Sequence, residues 1–187
     1  MKTKITYRYN GNSKSKGQLV INAKKKLWLK RMVLGEGGRG CSGYKAAALC
    51  WAIVNRWFLW PGSRFYLTFL LMMRSFSQPI NPRWMTGGDL ARKYIGRKAA
   101  SKQRLARRAR TCKAKKFPKN IESTVELFAL GLIPYDEPQR ISNWASLQST
   151  PEKHPWGFDV DGDWFFEDRN LKPGFVCVEK EVKHGKI

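Results

Sequence analysis

The chain has 187 residues, with 36 Lys and Arg against 14 Asp and Glu, for a formal net charge of +22. Apolar residues make up 42% and include eight Trp, so a core is affordable, and the composition excludes a wholly disordered polyelectrolyte. The four cysteines (Cys41, Cys50, Cys112, Cys177) share no CxxC pair and have only two histidines to join them, which argues against both a disulfide framework and a zinc module and favours an intracellular setting.

Residues 1–44 form a basic arm or import segment with a net charge of +10. Short alternating pieces at Ile5–Tyr9 and Leu19–Ile21 predict a hairpin across Asn10–Lys16. Lys24, Lys25 and Lys26 lead into a helical stripe of Leu27, Trp28, Met32 and Val33. The run GEGGRGCSG follows from Gly35 to Gly43 and reads as a flexible linker, since it lacks the residue order of a phosphate-binding loop. Glu36, inside that run, is the only acid in the first 88 residues. Scarce acids with abundant Lys and Arg suit a mitochondrial import segment and an RNA-binding arm equally well.

Residues 45–73 are the most apolar segment. Arg56 and Arg64 divide it into charge-free runs of 10, 7 and 9 residues, short of the roughly 18 to 20 that a bilayer span needs. The expectation is therefore a helix from about Lys45 to Trp60, a turn at Pro61-Gly62-Ser63, and an apolar run from Phe65 to Met73 packed against it. Membrane insertion of residues 46–73 is the alternative.

Residues 74–120 carry 15 Lys and Arg against the single acid Asp89. Thr86 and Asp89 form a capping box that should open a helix. From Leu90 to about Lys115 there is no Pro, and good helix formers dominate. The apolar stripe is narrow, so the helix must present cations over most of its surface. The phosphate-binding residues expected here are Arg92, Lys93, Arg97, Lys98, Lys102, Arg104, Arg107, Arg108, Arg110, Lys113, Lys115 and Lys116, because guanidinium forks and ammonium groups laid along one element suit a phosphate backbone. Trp84 and Tyr94 are candidates for base stacking beside them.

Residues 121–187 are mildly acidic, at a net −5, and read as a small globular region. A helix is expected over Glu122–Leu130, capped by Ser123 and stopped at Gly131. A turn at LIPYDEPQ follows. Phe158–Val160, the turn at Asp161-Gly162, Trp164–Phe166, a turn at Lys172-Pro173-Gly174 and Phe175–Val182 then predict a three-stranded antiparallel meander. Asp159, Asp161 and Asp163 lack the Gly and Glu positions of a calcium loop and read as a solvent-facing hairpin turn. No GxSxG, HExxH or Cys/His pairing supports an enzyme, and no cofactor or metal is expected.

The fold class expected is α+β: a basic helix and extended N-terminal arms, with a small C-terminal helix and the meander. In composition and layout, without any family motif, the chain resembles the organelle ribosomal proteins as a class. That resemblance implies an RNA-binding structural component of a ribonucleoprotein, contacting ribosomal RNA through its basic helix and neighbouring subunits through its acidic end, in the mitochondrion. The alternatives are a membrane-associated protein that uses the basic helix for anionic lipid, and a viral or phage protein that condenses nucleic acid.

Overall fold

The computed structural model describes residues 2–10, 17–81, 109–133, 141–146, 154, 156–167, 169–171 and 175–183. The apolar segment folds as helix α2 (Gly43–Leu59), in which Ser42 accepts the Lys45 N–H at 3.0 Å as the N-cap. Every residue from Lys45 to Leu59 is buried. A helix that is apolar all round belongs in an interior, and here that interior is protein. No helix among the described residues is long and apolar enough to cross a membrane. A short 3-10 turn at Pro61–Phe65 and helix α3 (Phe69–Phe76), capped by Thr68, complete the pattern expected for residues 45–73.

Around α2 pack helix α1 (Ala23–Gly37), helix α3, helix α4 (Lys119–Ala129) and two three-stranded antiparallel sheets. The α+β class expected from the sequence is thus present. The first sheet has the order β2 (Gln18–Leu19), β1 (Lys2–Tyr9), β6 (Val176–Lys183). The second has the order β3 (Asn143–Ser146), β5 (Asp163–Phe166), β4 (Phe158–Val160).

The N-terminal hairpin forms, with Tyr7 opposite Leu19 and Arg8 opposite Gln18. The N-terminal segment is extended, as expected, but its extension is paired: β1 lies along β6 with Tyr7 opposite Val178. Ile5 and Tyr7 enter the same core as Leu29, Met32 and Val33 of α1. In the second sheet the Asp161-Gly162 hairpin forms as read, with φ of +49° and +79° at its two central residues, the geometry of a two-residue primed turn. The third strand differs from the meander proposed. It is β3, and the Phe175–Val182 segment supplies β6 to the other sheet, because its long-range partner is the N-terminus.

Two helix ends were also misjudged. The glycine run is no linker in its first half: Gly35 and Gly37 are in α1, and Gly38, at φ +75°, caps it by returning its N–H to Leu34. Helix α4 begins at Lys119 behind Pro118, and the Ser123 hydroxyl bonds back to the Lys119 carbonyl at 2.8 Å instead of capping. Its other end is as expected. Gly131 (φ +61°) donates to the Phe128 carbonyl at 2.8 Å and Leu132 to the Leu127 carbonyl at 3.0 Å, a Schellman closure. A Cβ at Gly131 would stand 2.6 Å from Val178 Cγ1. Gly131→Ala should therefore cost about 2 kcal/mol or more, from left-handed strain plus overpacking against β6, read as a lowered urea midpoint at unchanged m-value.

Candidate nucleic-acid interface

The charge separation seen along the sequence is partly neutralised in three dimensions. Lys26 of α1 pairs with Glu126 of α4 at 2.5 Å, and Lys30 with Glu126 at 2.7 Å and Glu122 at 3.2 Å. Lys45 Nζ, buried at the start of α2, meets Asp163 Oδ2 at 2.8 Å and the Asp161 carbonyl at 3.0 Å. Arg8 on β1 meets Glu179 on β6 at 2.8 Å. Several acids of the C-terminal region are thus engaged within the chain. The aspartate-rich hairpin is likewise structural on two counts: Asp159 accepts the Gly162 N–H at 2.9 Å and Asp163 holds Lys45.

Glu126 shows what these pairs do. Burial alone would raise its pKa, but the hydrogen bonds and charges of Lys26 and Lys30 outweigh that and hold it below the ordinary glutamate value. Lys30 is the counterpart: burial pulls its pKa down, and Glu126 and Glu122 carry it above the ordinary value. A folded-state pKa below the unfolded one gives stability that is present above the unfolded pKa and lost as pH falls through the folded pKa. The α1–α4 contact should accordingly weaken in acid, below about pH 4.5. In Glu126→Gln the fall in urea midpoint between neutral and acid pH should be shallower than in the parent; an identical fall would assign the acid sensitivity to other groups.

Among the described residues, a second set of cations has no such partners. Of the phosphate-binding residues expected from the sequence, Arg110, Lys113, Lys115 and Lys116 fall in the described region, and all four are exposed. Arg92, Lys93, Arg97, Lys98, Lys102, Arg104, Arg107 and Arg108, with Trp84 and Tyr94, lie outside the described residues. Residues 109–113 are helical and 114–118 run on to α4. This segment is held against α1. Arg31 Nε donates to the Ala114 carbonyl at 3.2 Å, buried Thr111 faces Gly35, whose added Cβ would stand 3.2 Å from Thr111 Cγ2, and the Cys112 thiol donates to the Pro79 carbonyl at 3.8 Å.

Where the segment crosses the end of α1 it borders a cavity of about 530 Å³ lined by Leu34, Gly38, Arg39, Arg110, Thr111, Ala114 and Lys116. Arg39 is the residue that sequence reasoning missed. The signal was present in an acid-poor glycine run, but placing Arg39 required knowing that Gly38 turns left-handed at the end of a helix and sends the next residue over that end. Among the described residues, no carboxylate lies within ion-pair distance of Arg39, Arg110, Lys113, Lys115 or Lys116, whereas the lysines of the α1–α4 contact are all engaged.

On the other side of α1 lies Glu36. At about 100° per residue it is about 160° round the helix from both Leu34 and Gly38, among the core positions, and its Oε1 accepts a 2.6 Å hydrogen bond from the buried Ser77 hydroxyl. The glycines on either side are closely covered: added Cβ atoms would meet Thr111 Cγ2 at 3.2 Å from Gly35 and Cys41 Cβ at 2.9 Å from Gly37. The thiols nearby are chemically quiet. Burial pushes Cys41 up to about 11 against the opposing pull of Lys45, and pushes Cys50 higher still, so both stay protonated at neutral pH.

No protein-family model matches the chain, and no curated protein or solved structure matches it.

Proposed function

We propose that the protein is an RNA-binding structural component of a ribonucleoprotein, with the organelle ribosome as its setting. The observation that supports this reading is the division of its cations into two classes: Lys26, Lys30 and Lys45 are matched by carboxylates inside the fold, while, among the described residues, Arg39, Arg110, Lys113, Lys115 and Lys116 stand exposed without one. Like charges concentrated on one strip repel one another, and a polyanion relieves that repulsion. The packing of β1 and α1 into the core supports retention of the N-terminal residues in the working protein, in place of an import segment that is discarded.

With about six to eight phosphates contacted, the affinity for single-stranded RNA should fall with log salt at a slope of about 4 to 6, measured by fluorescence anisotropy. The protein should also co-sediment with ribosomal particles and remain attached in high salt. Equal affinity for DNA, without particle association, would favour nucleic-acid condensation instead. Absence of RNA binding at low salt would refute the reading.

A second reading is favoured by Glu36. A carboxylate gripped by a buried hydroxyl, between two tightly covered glycines, is held as a general acid or base must be. On this reading the protein cleaves the polymer that its cationic surface holds. Incubation with labelled RNA and with a labelled anionic glycan tests it: shortened polymer in the parent, lost in Glu36→Gln with the same melting temperature, supports cleavage, and unchanged polymer lengths exclude it.

A further inference from the structure

The cavity at the end of α1 brings together cations that are distant in the sequence. Gly38, left-handed at φ +75°, places Arg39 at the helix end. The crossing segment, pinned by Arg31 to the Ala114 carbonyl at 3.2 Å, brings Arg110 and Lys116 to the same cavity. The remaining wall is formed by Leu34, Ala114, Gly38 and Thr111, so its apolar part is Leu34 and Ala114. Among the described residues none of the lining groups is acidic.

The field around the cavity has one sign. On α1, Arg31 lies one turn before Leu34. On α3, Arg74 stands over the Trp28 ring at 4.3 Å, with Arg31 also against that ring at 4.7 Å. The carboxylates of α4 that approach α1 are engaged further back, with Lys26 and Lys30, and Glu36 is on the opposite side of α1. The last-turn carbonyls of α1 oppose an anion, but as partial charges, and the three full positive charges at the cavity outweigh them.

A volume of about 530 Å³ falls within the range of about 300–1,000 Å³ typical of small-ligand sites. It is larger than a bare phosphate requires, and the apolar wall has no use for one. The geometry points to a nucleotide pocket: Arg39, Arg110 and Lys116 hold one phosphodiester of a single-stranded RNA, and the attached sugar or base lies on Leu34 and Ala114. Guanidinium forks give the phosphate two-point contacts and the ammonium adds a point charge. The apolar wall gives the strand an entry register that a flat cationic face does not provide. This assignment rests on the RNA-binding reading above and adds to it a defined site.

The test is a short fluorescent single-stranded uridine oligonucleotide titrated into the full-length protein by anisotropy across a salt series. Two triple variants remove the same charge. R39A/R110A/K116A empties the pocket; K24A/R64A/K180A removes three cations elsewhere. Every residue in the two sets is exposed, so both variants should fold, and their melting curves check it. The pocket variant is expected to lose about 100-fold in affinity, with a salt slope smaller by about 2, at about 0.7 per contact for a single strand. The control should lose less than about threefold. A third variant, Ala114→Met, fills the wall without changing charge and should cost about tenfold if it retains the parent melting temperature. Equal losses in the two triple variants would overturn the pocket while leaving RNA binding in place. An oligonucleotide that the parent protein does not bind at low salt, with vesicles of anionic phospholipid bound instead, would overturn the RNA-binding reading itself.

Discussion

Phe128→Ala is expected to remove about 3–5 kcal/mol of stability, the range for deleting a fully buried Phe. Phe128 of α4 has no exposed surface. Its ring stacks on Tyr7 of β1 at 5.1 Å and 23°, and meets Trp51 of α2 edge-on at 5.2 Å and 86°. Tyr7 and Trp51 close the triangle at 5.7 Å and 75°. The Tyr7 hydroxyl also donates to the Phe128 carbonyl, and burial pushes that phenol well above its ordinary range, so it stays a donor at every accessible pH. Truncating Phe128 loses the transfer energy of the ring, leaves a cavity, and removes two ring–ring contacts worth about 0.5–1.5 kcal/mol each. Against a total of about 5–15 kcal/mol for a domain, this is enough to populate the unfolded state. Urea unfolding followed by Trp fluorescence measures it, with Phe128→Leu as the milder control. A loss below about 1 kcal/mol would mean that α4 is not docked between β1 and α2.

The second large effect is expected at Arg56. Charge inside an apolar run is an anomaly in the sequence, and the fold resolves it. Arg56 is 8% exposed. Its Nη1 donates to the Ser142 carbonyl at 3.1 Å and to Asn143 Oδ1, and its guanidinium lies 3.6 Å from the Phe76 ring centroid and 4.4 Å from that of Trp60. One side chain thus joins α2 to β3, α3 and the turn after α2. Removing this buried guanidinium is costly because the carbonyl and amide it serves lose a strong donor and its ring contacts are lost. Arg56→Ala should lose about 3–5 kcal/mol. Arg56→Lys should recover only part of this, since an ammonium keeps the charge but not the planar stack or the fork. Equal urea midpoints for parent and Arg56→Lys would show that charge alone matters there.

Much of the fold was legible because its signals are local. The apolar pattern of residues 46–59, the Pro61-Gly62 break, the Asp161-Gly162 hairpin and the Gly131 stop each depend on a few consecutive residues. The errors came from non-local choices. Phe175–Val182 has a good strand pattern, but the pattern does not name its partner; β6 pairs with β1, with Tyr7 opposite Val178, and the third strand beside β5 is Asn143–Ser146. The glycine run looked like a linker because glycine usually breaks helices. Here Gly35 and Gly37 are in the last turn of α1 because Pro79 and Cys41 approach too closely for a side chain.

The candidate interface divides in the same way. Lys and Arg at positions 110 to 116 announce a cationic strip in any conformation, since charge does not depend on the fold. Which cations remain available does depend on it. Lys26, Lys30 and Lys45 are as basic in the sequence as Lys113 or Lys116, yet α4 and the β4–β5 hairpin bring Glu122, Glu126 and Asp163 to the first three. The sequence by itself determined the sign and distribution of charge, the apolar run of α2 with its Pro61-Gly62 break, and the Gly131 stop of α4, because these are properties of neighbouring residues. The tertiary structure decided which cations are neutralised, because Coulomb attraction acts over a few ångströms of space, whatever the separation along the chain, and it brought Arg39 to a cavity with Arg110 and Lys116 through the left-handed Gly38 and the Arg31 hydrogen bond to the Ala114 carbonyl.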